Sequence, residues 1–234
     1  MVATKADHSY RSLRRAIVVG EIPAGRPLEE DELVKFIGTS RTPVRESLKR
    51  LTQEQFIVWP ARRSPYVRTL SPEDVRSLYE SRAILEVPAA GLAAERATAS
   101  QLENVQRCGD RLRESAAAGD VYASIEADHA LHIAVTEGSG NRFLTEAVDR
   151  LNCGSLRLWY VAHERLGLET VPDQHAAIIE ALHAHDVAGA ERAVRDHIRV
   201  SFERQVKLNF SGMSLATSFP EQDVSQTRVT ETTR

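Results

Sequence analysis

Cysteine is almost missing from this chain, and so is any long apolar run. The two cysteines, Cys108 and Cys153, form no CxxC pattern. This excludes a disulfide framework and fits a reducing compartment, with both thiols read as small core hydrophobes. The stretch "AIVVG" at 16–20 falls far below the roughly 18 apolar residues that a bilayer span requires. A signal-peptide core and cleavage site are also absent, so the expected location is the cytoplasm, with no membrane partner. No internal repeat is apparent. Charge of one sign is barely in excess, at −3 overall.

That small net charge conceals an asymmetry. Residues 1–70 carry 13 Lys and Arg against 8 Asp and Glu, whereas residues 71–234 carry 17 against 25. A basic first third on an acidic body suggests a separate module for a polyanion. Histidine is skewed the other way, with seven of eight beyond residue 128. The length of 234 residues, 42 % hydrophobic and 27 % charged, suits one large or two smaller globular domains.

The first 70 residues read as helix, helix, turn, helix and hairpin. Tyr10, Leu13 and Ile17 mark a helix closed by Gly20. "EEDELVKFIG" predicts a short acidic helix burying Leu33, Phe36 and Ile37. After a turn at 39–40, a third helix runs to about residue 54. "FIVWPARRSPYVRTL" then changes to strand chemistry, with strands expected at 56–59 and 66–70. This is the outline of a winged helix-turn-helix. "SPED" at 71–74 is a capping box with proline at the first helical position, and the domain boundary is placed there. Helices are expected over 72–97, 100–118, 120–138, 141–165, 171–185 and 187–209. Residues 211–234 are polar, lack periodicity and read as a disordered tail.

"TSRTPVRESLKRL" at 39–51 combines an apolar stripe (Val44, Leu48, Leu51) with a basic one (Arg41, Arg45, Lys49). The first stripe packs on its own domain, and the second can enter a major groove. An arginine fork can bond guanine O6 and N7 together or clamp a phosphate. Ser40 and Thr42 can cap the helix or donate to phosphates, and Pro43 is tolerated in a first turn. Arg62 and Arg63 add a basic point at the hairpin tip.

"SRTPVRESLKRL" followed by a hydrophobic hairpin with a basic tip resembles the GntR family of bacterial transcription regulators. The resemblance spans about residues 8–70. It implies that Ser40, Arg41, Thr42 and Arg45 contact operator DNA, with Arg62 and Arg63 as wing contacts. Where that family places glycine before the first wing strand and at the wing tip, this chain has Gln55 and Ser64. A reshaped wing is therefore expected.

The C-terminal helices hold the histidines. Asp128 and His132, at i and i+4, project from one helix face and can grip one ion. His175 opens the next-to-last helix and His197 lies near the middle of the last, and a bundle can bring such positions together. One carboxylate and three imidazoles suit zinc first, then nickel, manganese or Fe(II). His129, His163, His183 and His185 are expected to point elsewhere or to sit at helix ends. "ADHALHIAVTEGSGNRFL" and the later pair resemble the all-helical ligand-binding domain of the FadR-like branch of GntR regulators, over about 71–209. The resemblance implies Asp128, His132, His175 and His197 as metal ligands. It also implies that Arg82, in "YESRAILE", points into an effector cavity. The alternative for Arg82 is a surface pair with Glu86, and Asn141 reads as a helix cap.

A mainly α protein follows, with an N-terminal winged helix-turn-helix (1–70) and a C-terminal antiparallel helical bundle (71–210). The implied function is a homodimeric regulator on a palindromic operator, answering to a small carboxylate near a divalent metal, and not an enzyme. A metalloenzyme with a DNA-binding tether and a regulator with a purely structural metal are the alternatives.

Overall fold

The computed structural model describes residues 4–168 and 171–209. The expected tail at 211–234 lies outside the described residues. Helix α1 (Lys5–Val19) starts from a capping box between Thr4 and Asp7 and ends at Gly20, whose φ of 86° is left-handed. α2 (Glu30–Ile37) and α3 (Arg41–Gln53) make the helix-turn-helix, joined through the left-handed Gly38. Val44, Leu48 and Leu51 are fully buried, and Pro43 is accommodated in the first turn of α3. Phe36 departs from expectation, being 53 % exposed. An eight-residue helix offers one narrow buried stripe; Leu33 occupies it and Phe36 is left outside.

The wing is a two-stranded antiparallel hairpin, β1 (Ile57–Val58) and β2 (Tyr66–Val67), with Ile57 opposite Val67 and Val58 opposite Tyr66. Both strands are shorter than the spacing predicts. Gln55 has a φ of 69°, so the turn before the wing keeps its left-handed conformation without glycine. At the tip the left-handed residue is Arg62 (φ 60°) rather than Ser64. Such a conformation costs a non-glycine residue about 1 kcal/mol, so the tip is reshaped two positions early.

Beyond Ser71, which caps with Asp74 as expected, come α4 (Pro72–Arg96), α5 (Ala99–Ala117), α6 (Val121–Gly138), α7 (Arg142–Cys153), α8 (Leu156–Leu166), α9 (Val171–His183) and α10 (Val187–Asn209). The single helix expected at 141–165 is two helices. Its break falls at Gly154 and Ser155, where glycine weakens the helix and a Cβ would lie 3.5 Å from that of Gln55. α4, α6, α9 and α10 enclose the bundle interior, with α5 packed on α6 and α9.

Two apolar clusters result. One fills the helical bundle. The other fills the winged domain and takes in Ile125, Cys153, Leu156 and Trp159 from α6, α7 and α8. The winged domain therefore shares a core with the helices it stands on. Arg14 pairs with Glu126, and Arg157 Nη1 donates to the Ile17 carbonyl at 2.7 Å.

Candidate metal centre and DNA-reading surface

α4, α6, α9 and α10 each bring ionisable side chains into one dry region. Asp128 and His132 project from the same face of α6; His175 comes from α9 and His197 from α10. All four are buried. The three imidazoles converge, offering nitrogens within 4.8 Å of one another. His175 Nε2 lies 2.9 Å from Asp128 Oδ1, and His132 Nε2 lies 3.9 Å from Asp128 Oδ2.

The protonation pattern suits a cation. His175 Nδ1 donates to the Val171 carbonyl at 2.8 Å, which turns Nε2 toward the cluster, where it can ligate once deprotonated. His132 Nδ1 faces Glu86 Oε2 at 2.7 Å, so its Nε2 is likewise turned inward. His132 Nε2, His175 Nε2 and His197 Nδ1 are all buried without a hydrogen-bond partner among the described residues. Asp128 Oδ1, 2.9 Å from His175 Nε2, makes an ion-pair contact with that ring. Three orphaned imidazole nitrogens beside a carboxylate are poorly satisfied by one another and well satisfied by a divalent ion. The residues present fit such an ion.

The electrostatics agree. Burial would raise the Asp128 carboxyl, but His175, His132 and His197 hold it far below the usual carboxylate range. Burial, then the neighbouring His175 and His132, push His197 well down, so it is neutral. Burial would also lower His175, yet Asp128 raises it above its ordinary value.

Glu86 and Arg82 complete the interior. Arg82 pairs with Glu86 (Nε to Oε1, 2.7 Å), but the pair is buried rather than on the surface, Arg82 being 0 % exposed. Its Nη1 and Nη2 have no partner. Burial would raise Glu86, but Arg82 and His132 bring it down to about 2. Sequence reasoning missed Glu86 as a support of His132; its i, i+4 spacing from Arg82 suggests only a partner for that arginine. It also missed Trp159. The Arg82 guanidinium stacks 4.7 Å from that ring, whose Nε1 donates to the Tyr79 hydroxyl at 3.2 Å.

Asp128, His197 and Trp159 line a cavity of about 20 Å³ together with His163. His163 ends α8 as expected, but it is half-buried and also lines a wider outer cleft of about 630 Å³. His129 points away and meets Asp149 at 3.0 Å. Asn141 caps α7 by accepting from the amides of Phe143 and Leu144.

At the other end, Ser40, Arg41, Thr42, Arg45, Lys49, Arg62 and Arg63 are all exposed. Ser40 occupies the N-cap of α3 without a capping hydrogen bond. Arg41, Arg62 and Arg63 line one cleft between recognition helix and wing. Two of the basic residues are already paired: Arg41 reaches Asp31 at 2.8 Å and Arg45 reaches Glu30 at 2.9 Å, both on α2.

The comparisons with known proteins follow the same division. Residues 5–67 match the family described as bacterial regulatory proteins, gntR family, and residues 77–200 match the FCD domain. The chain is 28 % identical over 201 residues to the HTH-type transcriptional repressor RspR of Escherichia coli K12, covering 85 % of this chain and 88 % of that protein. It is also 28 % identical over 212 residues to the Glc operon transcriptional activator of the same organism, covering 80 % and 84 %. The solved structure of E. coli McbR/YncC superposes with a TM-score of 0.74 at 20 % identity, over 88 % of this chain and 99 % of that one. No described helix is long and apolar enough to cross a membrane. This chain belongs to the GntR family of bacterial DNA-binding transcription regulators, with an FCD domain as its ligand-binding half.

Proposed function

We propose that the protein is a homodimeric cytoplasmic regulator on a palindromic operator, and that Asp128, His132, His175 and His197 hold a divalent ion, zinc first. The observation that carries the metal is the set of three converging, buried imidazole nitrogens, two of them on rings within 4 Å of an Asp128 oxygen. Such an ion would supply a Lewis-acidic point for a small carboxylate. Arg82 presents two unpartnered donors in the same interior, the arrangement that favours a bidentate carboxylate. Ser40, Arg41, Thr42, Arg45 and Lys49 would read or clamp DNA from α3, with Arg62 and Arg63 at the wing.

Trp159 gives the site a route to the head. Its ring contacts Arg82 on one side and belongs to the winged domain's apolar cluster on the other. A shift at Arg82 would therefore repack a core that the reading head shares. Effector couplings of this type are typically about 1–3 kcal/mol. The relatives include a repressor and an activator, so the sign of the response is a separate property.

The cavity of about 20 Å³ holds little more than a water, and this favours a second reading in which the metal is structural. Under that reading chelation lowers the bundle's Tm, while the chain that stays folded binds organic acids with unchanged affinity. Under ours, chelation removes acid binding while the helices persist. A catalytic role has less support, because Glu86, the nearest additional carboxylate, is held at about 2 and is a weak base. Native mass spectrometry of the purified protein tests the proposal: a dimer carrying metal is expected, and a metal-free monomer after zinc saturation contradicts it.

A further inference from the structure

α6 carries a second constellation on the face adjacent to the quartet. His129, next in sequence to Asp128, turns toward α7 and meets Asp149 and Cys153, which are themselves i, i+4 neighbours. His129 Nε2 lies 3.0 Å from Asp149 Oδ1 and 3.9 Å from Cys153 Sγ, and Sγ lies 3.7 Å from Asp149 Oδ1. We propose that His129, Asp149 and Cys153 form a second, thiolate-containing site for a zinc-class ion, at the seat of the reading head.

Geometry is the first argument. With zinc–nitrogen and zinc–oxygen bonds of about 2.0 Å and zinc–sulfur bonds of about 2.3 Å, tetrahedral edges are about 3.3 Å for N to O and about 3.5 Å for S to N or O. The three observed separations lie within a few tenths of an ångström of those edges. Charge is the second. A thiolate and a carboxylate neutralise a divalent ion, and imidazole adds a neutral donor. Donor softness is the third: sulfur and imidazole select zinc or its analogues over magnesium or manganese. The Asp149 side chain is half exposed, which leaves a fourth position open to water, while His129 and Cys153 are mostly enclosed. The His129–Asp149 ion pair and the Cys153 thiol's hydrogen bond to Asp149 hold the three donors together, so an ion would take the place of the thiol proton.

The position has a consequence. Cys153 belongs to the apolar cluster that the winged domain shares with the bundle, immediately before the break at Gly154 and Ser155. An ion here would pin α6 to α7 beneath the head. This inference stands apart from the quartet, whose ligands include no sulfur.

The test uses the full chain in a Cys108→Ser background, with cobalt(II) as the probe. Titration of metal-free protein is expected to give thiolate-to-cobalt charge-transfer absorption, which survives His132→Ala and disappears in Cys153→Ser. His129→Gln, which leaves the apolar core untouched, is expected to weaken that band's binding constant at least ~10-fold. Zinc is expected to protect Cys153 from thiol reagents, and to lose that protection in His129→Gln. Absence of the charge-transfer band, or zinc protection that His129→Gln leaves unchanged, would overturn the proposal.

Discussion

His132, His175 and His197 each turn one nitrogen into a buried interior where, among the described residues, no hydrogen bond satisfies it. A buried polar atom left without a partner costs about 1–3 kcal/mol, so three in one place need a common explanation. Asp128 and His132 were legible because i, i+4 spacing fixes two side chains on one face whatever the rest of the fold does. Glu86 was not, because its role depends on α4 passing α6, which no local pattern encodes. Its contact with His132 should nonetheless matter. Glu86→Gln is expected to weaken zinc binding about 10–100-fold, measured by chelator competition, since a carboxylate behind a ligating histidine orients it and raises its basicity. Unchanged affinity would reduce Glu86 to a partner of Arg82 alone. Proton competition gives a second expectation. His197 is held neutral and offers its lone pair freely, whereas His175 is raised by Asp128 and must lose a proton to bind. Acid therefore opposes loading, and the zinc-induced rise in Tm should grow between about pH 6 and about pH 8. A rise that shrinks over that range would contradict this ligand set.

The recognition helix was the most legible element, because one thirteen-residue stretch holds both its packing stripe and its basic stripe. Leu48→Ala should destabilise the head by about 2–5 kcal/mol, read from denaturant unfolding. Arg45→Ala should instead leave stability near wild type and weaken binding to a selected DNA site by about 1–3 kcal/mol, with relaxed base preference. An unchanged footprint would remove Arg45 from the interface. What the stretch could not show is that α2 already engages its arginines. Arg41 and Arg45 pair with Asp31 and Glu30, so phosphates must displace carboxylates to bind. These pairs are largely exposed and worth about 0.2–1 kcal/mol each. Asp31→Asn should tighten DNA binding by a similar amount in fluorescence anisotropy, and weaker binding would show that Asp31 positions Arg41 instead. Elsewhere, local pattern misled where tertiary packing intervenes. Phe36 is left outside a short helix, the predicted helix at 141–165 breaks at Gly154 and Ser155, and the wing turns at Arg62 rather than Ser64.

Across the whole molecule, two domains that read as separable in sequence share an apolar cluster. Trp159 is the residue common to that cluster and to the buried site, and sequence gave no reason to single it out. Its size is the point: Trp159→Phe keeps an aromatic ring over Arg82 but loses the indole bond to Tyr79. Under this account the variant keeps its metal and its DNA site while metal-dependent changes in DNA affinity shrink. The central claim, that Asp128 and three histidines hold one ion per chain in a paired regulator, is met most directly by native mass spectrometry of zinc-saturated full-length protein. The Cys153→Ser chain, which leaves only the quartet, is predicted to appear as a dimer with two zinc ions, and the same chain with His132→Ala as a dimer with none. Equal zinc content in the two would contradict the account.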